Sequence, residues 1–250
     1  MTIFSIINST AVLPTQIMEN ATITIEDGVI IDIAENGAAT ERYVNAEGAI
    51  CMPGIIDSHS DGFEMEPRPR PSVRLPLDFS IQSFEAKVRA AGVTTLFHGI
   101  GFENDGNRTV ESANAYVDII HEYSSSPAVM MNHRVLYRLD ARDADGFNAL
   151  CARIESDRQI DAKPLISFED HTPGQGQYRD RTYLENWIMG SRNMTREEAV
   201  AHVDQILIER EAVRHNKELA LPWLTEQAAL GNITLMAHDP ATPEDVAEAV

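Results

Sequence analysis

Two patterns of hydrophobic and polar positions divide the chain near residue 53. Residues 21–25 and 29–33 alternate β-branched and polar side chains, a period of two that predicts half-buried strands. Asp27-Gly28 lies between them and favours the positive φ values of a type I′ hairpin turn. We therefore predict a small antiparallel β region over residues 1–52.

From Gly54 onward, apolar bursts alternate with helical patterns, which is typical of βα units around a parallel sheet. The bursts cover residues 55–59, 93–98, 128–137, 164–168 and 233–237. Thr195-Arg196-Glu197-Glu198 forms a capping box and predicts a helix that runs to about Asn216. The predicted fold class is therefore α/β, with five strands of a (β/α)8 barrel in residues 53–250.

One more helix start lies near the end of the sequence. Thr242-Pro243-Glu244-Asp245 combines an N-cap hydroxyl, a proline at the first helical position and acids near the positive end of the helix dipole. The sequence stops at Val250 after only five predicted strands, whereas a closed (β/α)8 barrel takes roughly 250 residues by itself. We therefore expect the barrel to be incomplete and the parent chain to be longer.

Composition and charge exclude several classes of partner. The chain has 20 Lys+Arg and 39 Asp+Glu, and its formal charge of −19 repels nucleic acids and anionic membranes. No run approaches the roughly eighteen apolar residues of a membrane span, and no basic leader begins the chain, so we expect a cytoplasmic protein. Cys51 and Cys151 are the only cysteines, so a metal site must use histidine and carboxylate.

The sharpest chemical motif is His59-Ser60-Asp61, directly after the first apolar burst. Residues two apart on a strand point to the same face, so His59 and Asp61 can converge on one cation. Taken alone, the pair is also consistent with a capping aspartate beside a loop histidine. His98, His171 and His238 strengthen the metal interpretation, because they too fall at predicted strand ends, where barrel enzymes gather catalytic groups.

These three histidines differ in what surrounds them. His171 follows Asp170 and His238 precedes Asp239, so both are candidate metal ligands. The two aspartates can orient an imidazole, bind the metal or act as a base, and the sequence leaves these roles open. His98 is equally consistent with a ligand and with a hydrogen-bonded core residue.

Longer motifs carry a family resemblance. The run Asp170-His171-Thr172-Pro173-Gly174-Gln175 resembles a motif of the α-D-ribose 1-methylphosphonate 5-triphosphate diphosphatase family, the phosphonate-catabolism branch of the amidohydrolase superfamily. Residues 52–57, Met-Pro-Gly-Ile-Ile-Asp, resemble the opening of that superfamily, and Pro69-Arg70-Pro71 and residues 237–242 match the branch. One segment departs from it, since residues 136–140 read Leu-Tyr-Arg-Leu-Asp where the family has His-Leu-Arg-Cys-Glu.

The resemblance implies a barrel hydrolase of the amidohydrolase kind that releases pyrophosphate from a small phosphorylated sugar. The implied cofactor is a divalent metal, Zn²⁺ first, with Mn²⁺ or another divalent ion as alternatives. Two other functions stay open, namely hydrolysis of a cyclic amide or other C–N bond, and an inactive metal-binding fragment; a homo-oligomer also stays open. The implied site consists of metal ligands His59, Asp61, Asp140, His171 and His238, the catalytic Asp239, and the substrate-binding Arg70, Arg138 and Gln175.

Overall fold

The computed structural model describes residues 2–104, 108–157, 163–240 and 242–248. The chain has two compact units, Met1–Ile55 and Ile56–Val250. Within the described ranges, no helix has both the length and the apolar character needed to cross a membrane.

The first unit is a five-stranded sheet in which β1 pairs with β2, β4 and β5, and β2 pairs with β3. Asp27 and Gly28 turn the β2–β3 hairpin with φ values of 48° and 84°, which confirms the predicted turn and the antiparallel pairing. The alternation did not predict that β4 and β5 pair parallel to β1. The strands are β1 (Ile3–Val12), β2 (Ile17–Glu26), β3 (Val29–Glu35), β4 (Tyr43–Asn45) and β5 (Ile50–Cys51).

The second unit is built on a five-stranded sheet in the order β10-β9-β8-β7-β6. Parallel pairing joins β7 to β8, β8 to β9 and β9 to β10. Neighbours in the sheet are thus neighbours along the chain, as in the first five strands of a (β/α)8 barrel, and the predicted partial barrel is confirmed. The strands are β6 (Ile55–Ser60), β7 (Val93–Phe102), β8 (Asn132–Asp140), β9 (Leu165–Glu169) and β10 (Thr234–Ala237).

Helices connect these strands, and α5 and α6 form an extra pair between β9 and β10. Thr195 caps α6 with the predicted capping box, but the helix ends at Ala212 rather than near Asn216, and α7 begins at His215. The helices are α1 (Gly62–Met65), α2 (Leu77–Ala90), α3 (Val110–Ser124), α4 (Ala144–Asp157), α5 (Arg181–Arg192), α6 (Arg196–Ala212), α7 (His215–Ala229) and α8 (Pro243–Glu248). The last two residues of the expected C-terminal helix, 249–250, lie outside the described residues.

The main core lies between the sheet and its helices, because one face of each strand is apolar. On β7 and β8 every second side chain enters this core, including Leu96, Ile100, Tyr137 and Leu139, each fully buried. Glycines and charged residues, such as Gly99 and Arg138, occupy the alternating positions, since successive side chains of a strand point to opposite faces. The polar face of the sheet is therefore the face that carries the chemistry.

We expect Gly146→Ala to destabilise the protein, because a Cβ on Gly146 would clash with the backbone carbonyl oxygen of Phe102. Helix α4 would have to move away from β7, at a cost of about 2 kcal/mol, the usual range for overpacking. Thermal unfolding should show a transition several degrees lower. Gly190→Ala on α5 is the matched control, because a Cβ there meets nothing within 4 Å. Equal melting temperatures for the two variants would contradict the predicted clash.

Candidate metal centre

One carboxylate and two imidazole side chains converge at the carboxyl ends of β9 and β10. Glu169 ends β9, His171 follows it by two residues, and His238 follows β10. Potential ligand atoms of these three residues all lie within 4.8 Å of one another. Parallel strands end at the same edge of a sheet, so neighbouring strands bring their following residues together.

The donor set of Glu169, His171 and His238 fits a divalent metal such as zinc, which takes imidazole nitrogen and carboxylate oxygen. The Nε2 atom of His171 is buried and has no hydrogen-bond partner among the described residues. Leaving such an atom unpaired costs about 1–3 kcal/mol. A metal ion bound to this nitrogen would satisfy it, so the orphaned atom supports the metal interpretation.

His59 and Asp61, the predicted ligand pair of β6, lie beside this cluster. The ring centroids of His59 and His238 are 4.9 Å apart, and those of His171 and His238 are 5.6 Å apart. The Oδ1 atom of Asp61 lies 3.2 Å from Nε2 of His59. The structure thus brings His59, Asp61, His171 and His238 to one edge of the sheet, as the strand-end argument requires.

Arg138 connects the carboxylates of Asp61 and Glu169. Its Nε and Nη2 atoms donate to Glu169 at 3.1 and 3.0 Å, and its Nη1 atom donates to Oδ1 of Asp61 at 2.7 Å. The side chain is only 4% exposed. The guanidinium predicted to bind substrate is thus engaged within the protein, which assigns it to positioning Asp61 and Glu169.

Gly99 on β7 leaves the room that this arrangement needs. A Cβ at position 99 would lie 2.7 Å from Oδ1 of Asp61 and 3.0 Å from Cδ of Arg138. Both contacts are closer than atoms normally tolerate. Any larger residue at Gly99 would therefore displace Asp61 or Arg138.

Asp140, a predicted metal ligand, is held by Arg210 in a neighbouring cluster. Nη1 and Nη2 of Arg210 donate to the two oxygens of Asp140 at 2.5 and 2.9 Å. Arg210 also donates to Asp170 at 3.0 Å, and Arg142 donates to Asp170 at 3.1 Å. In this structure Asp140 therefore binds an arginine from α6 and does not join the Glu169, His171 and His238 cluster.

The same cluster strongly favours the ionised form of Asp170. Burial by itself would raise the pKa of this carboxyl, but the hydrogen bonds from Thr172 and Arg210 and the charge of Arg142 hold the pKa well below its usual range. Gln175, a predicted substrate contact, donates to the backbone carbonyl of Asp170 at 3.1 Å. Asp170 therefore organises the loop after β9.

The remaining predicted residues are Asp239 and Arg70. Oδ2 of Asp239 lies 3.3 Å from Nε2 of His238, so this carboxylate adjoins the cluster. Arg70 is exposed, and its guanidinium makes no hydrogen bond to any residue that the structure describes. The structure therefore places Asp239 at the centre and shows no contact between Arg70 and the centre.

His98 is a hydrogen-bonded core residue and not a metal ligand, the second of the two alternatives that the sequence left open. It is fully buried, its Nε2 lies 2.8 Å from Nδ1 of His133, and Nε2 of His133 lies 3.0 Å from Glu85. Burial, with a further contribution from the His133 charge, lowers the pKa of His98 to about 3. The period of two explains this position, because Gly99 faces the site and His98 therefore faces the helices.

Sequence reasoning missed two carboxylates, Glu169 and Glu103. Glu103 directly follows β7, which continues four residues past its predicted end at His98. The Gly-Ile-Gly-Phe run at residues 99–102 was the available signal, because apolar and small residues alternate there. Burial raises the pKa of Glu103 to about 7 against the lowering effect of Arg108, and the charges of Glu169 and Asp140 add to the rise.

The fold and the cluster define an α/β protein with a candidate metal centre at the carboxyl edge of a partial barrel. The chain is 24% identical over 246 residues to alpha-D-ribose 1-methylphosphonate 5-triphosphate diphosphatase of Escherichia coli strain K12. The match covers 97% of this chain and 63% of the relative, so the chain spans less than two thirds of that protein's length. This similarity confirms the resemblance indicated by the Asp-His-x-Pro-Gly-Gln motif. No protein-family model matches the chain.

Three solved structures are similar to the chain at a remote level. A triazine hydrolase variant is 14% identical, with a TM-score of 0.45 over 67% of this chain and 46% of its own. A zinc-bound adenosine deaminase from Xanthomonas campestris is 12% identical, with a TM-score of 0.37 over 93% and 61% of the two chains. An atrazine chlorohydrolase mutant from Arthrobacter aurescens with zinc and atraton is 13% identical, with a TM-score of 0.39 over 81% and 58%. No residue role in this chain follows from likenesses so remote.

We expect His171→Ala to weaken zinc binding by at least about 100-fold, because loss of a direct ligand should cost no less than loss of an outer-shell partner. Glu169→Gln should weaken it as well, since the amide is a poorer zinc ligand. Competition with a chromophoric chelator measures both affinities. His202→Ala on α6 is the control, since His202 is only partly buried and is bonded to Arg192. Unchanged zinc affinity in His171→Ala would exclude this nitrogen as a ligand.

We expect the stability of the metal-free protein to depend on Glu103 between pH 5 and pH 8. The pKa of this carboxyl is raised from 4.5 to about 7 in the folded state, so folding favours the protonated form of Glu103. The resulting contribution to the free energy of unfolding is fully present below the unfolded pKa of 4.5 and is lost as pH rises through 7. A shift of this size corresponds to about 3 kcal/mol. Urea unfolding at both pH values should therefore show Glu103→Gln losing less stability than the wild type. Glu111→Gln, at an exposed residue of α3, should lose as much stability between the two pH values as the wild type. An equal loss in Glu103→Gln would contradict the raised pKa of Glu103.

Proposed function

We propose that the chain acts as a metal-dependent hydrolase on α-D-ribose 1-methylphosphonate 5-triphosphate and releases pyrophosphate. The observation that carries this proposal is the Glu169, His171 and His238 cluster with its unpaired, buried imidazole nitrogen. The substrate is suggested by the similarity to the Escherichia coli diphosphatase, which extends over 97% of this chain. Partners in this proposal are the phosphorylated sugar and the metal, in the cytoplasm.

Glu169, His171 and His238 would hold the ion, Zn²⁺ first, with His59 beside them. When bound, such an ion activates water near neutral pH and withdraws charge from a phosphoryl oxygen. Arg138 fixes the Glu169 carboxylate in place through two hydrogen bonds, so this ligand is already oriented before a metal arrives. Preorganisation of this kind reduces the cost of assembling the site.

Asp239 is the proposed general base. Its Oδ2 atom lies 3.3 Å from Nε2 of His238 and the side chain is 40% exposed, so the carboxylate reaches both the cluster and solvent. At this place Oδ2 can take a proton from the attacking water and later release it. A carboxylate within hydrogen-bond reach of the reacting water is the geometry that general base catalysis requires.

The full chain loaded with zinc should release pyrophosphate from the triphosphate, and EDTA should abolish the release. His238→Ala should lower kcat/KM by about 100- to 1,000-fold, since removing a single group that stabilises the transition state has effects of this order. Coupled pyrophosphate detection measures the rate, and His202→Ala should retain it.

Two outcomes would overturn the proposal. Turnover of a cyclic amide without any pyrophosphate release would assign the same centre to C–N bond hydrolysis. Stoichiometric zinc binding without turnover of either substrate would assign it to a metal-binding fragment.

A further inference from the structure

Two adjoining cavities extend away from the candidate metal centre. The inner cavity has a volume of about 490 Å³, and its wall includes His238, Asp239 and Lys217. The outer cavity has a volume of about 550 Å³, and its wall includes Arg142, Arg214 and Lys217. Gln175, Lys217 and Leu221 line both, so one continuous groove leads from the metal centre to a region rich in cations.

Lys217 is a surplus cation at the junction of the two cavities. Its Nζ atom lies 3.8 Å from Asp170, whose oxygens already accept hydrogen bonds from Arg142 and Arg210 at 3.1 and 3.0 Å. Arg210 also neutralises Asp140. Three cations therefore face two carboxylates at this point, and the Lys217 ammonium, 29% exposed, is the most weakly engaged of the three.

Arg142 offers a further donor on the outer cavity. Its side chain is 8% exposed, with Nε bonded to Asp170 and Nη1 bonded to the backbone carbonyl of Arg210. The Nη2 group has no hydrogen bond among the described residues. A buried arginine held in one orientation and with a free donor is suited to a phosphate oxygen.

Arg214 stands at the outer end of the groove. Its only ion pair among the described residues joins Nη1 to Glu211 at 3.7 Å, with both side chains well exposed. Exposed pairs of this kind contribute about 0–1 kcal/mol, so the guanidinium can turn toward a ligand at little cost. Glu211 and Glu218 also line the outer cavity and would repel an anion. The region that favours an anion is therefore the wall formed by Arg142, Lys217 and Arg214.

We propose that Lys217, Arg142 and Arg214 form a subsite for the terminal phosphates of a polyphosphate chain. The ligand identity rests on the proposed function, in which the bond cleaved lies at the metal end and the departing pyrophosphate lies in the groove. Without such a local set of cations, the −19 charge of the protein would repel this group. Lys217 is the central residue, because it lines both cavities.

Isothermal titration of the full chain with inorganic tripolyphosphate in EDTA tests the subsite without any metal or turnover. Lys217→Ala should raise the Kd at least tenfold, Lys217→Arg should keep it within about threefold of the wild type, and the exposed Arg214→Ala should raise it by a smaller factor. Arg134→Ala is the matched control, since Arg134 is an exposed arginine near the start of β8, away from the groove. It should leave the Kd unchanged.

The subsite is overturned if the wild type fails to bind tripolyphosphate or if Lys217→Ala binds it as tightly as the wild type. Pyrophosphate release by the zinc-loaded chain separates this failure from failure of the proposed function. Pyrophosphate release together with unchanged tripolyphosphate binding by Lys217→Ala would support the proposed function and exclude the subsite. Weakened tripolyphosphate binding by Lys217→Ala without pyrophosphate release by the zinc-loaded chain would support a subsite for a phosphorylated ligand and exclude the diphosphatase reaction.

Discussion

The buried guanidinium of Arg138 is the interaction on which the arrangement of the centre depends. It donates to Glu169 twice and to Asp61 once, and thereby links the last residue of β9 and the residue after β6 to the strand β8. Glu169 is 2% exposed, so its negative charge needs a buried partner. Removing one member of such a pair costs about 3–5 kcal/mol, because the other charge stays buried. The geometry of the Glu169 carboxylate is therefore set by an arginine and not by the loop around it.

A second set of ion pairs positions the helices above the strand ends. Arg210 extends from α6 to Asp140 at the end of β8 and to Asp170 after β9, and Arg142 binds the other carboxylate oxygen of Asp170. These contacts place α7, which follows α6 directly, so that Lys217 faces the groove. The same cluster that takes Asp140 away from the metal centre thus creates the cationic wall beside it.

The strand ends and several of their chemical groups could be predicted from the sequence. His59, His171 and His238 could be identified because each lies at or just after the end of an apolar burst. The period of two places Gly99 and His98 on opposite faces of the sheet once the length of β7 is known. The partner of Asp140 could not be predicted in this way, since Arg210 is seventy residues away and lies near the end of α6, far from the capping box that predicts this helix. Glu169 was overlooked because it is the last residue of an apolar strand, where a buried carboxylate is expected only if a cation such as Arg138 faces it.

The most direct test of this account is anomalous diffraction at the zinc edge from crystals of the zinc-loaded protein. We expect a zinc peak bonded to Glu169, His171 and His238, at about 2.0–2.2 Å from their nitrogen and oxygen atoms. Arg138 should still hold the Glu169 carboxylate in that structure. A zinc ion bound at Asp140 and Asp170 instead, with Arg210 displaced, would contradict the central claim.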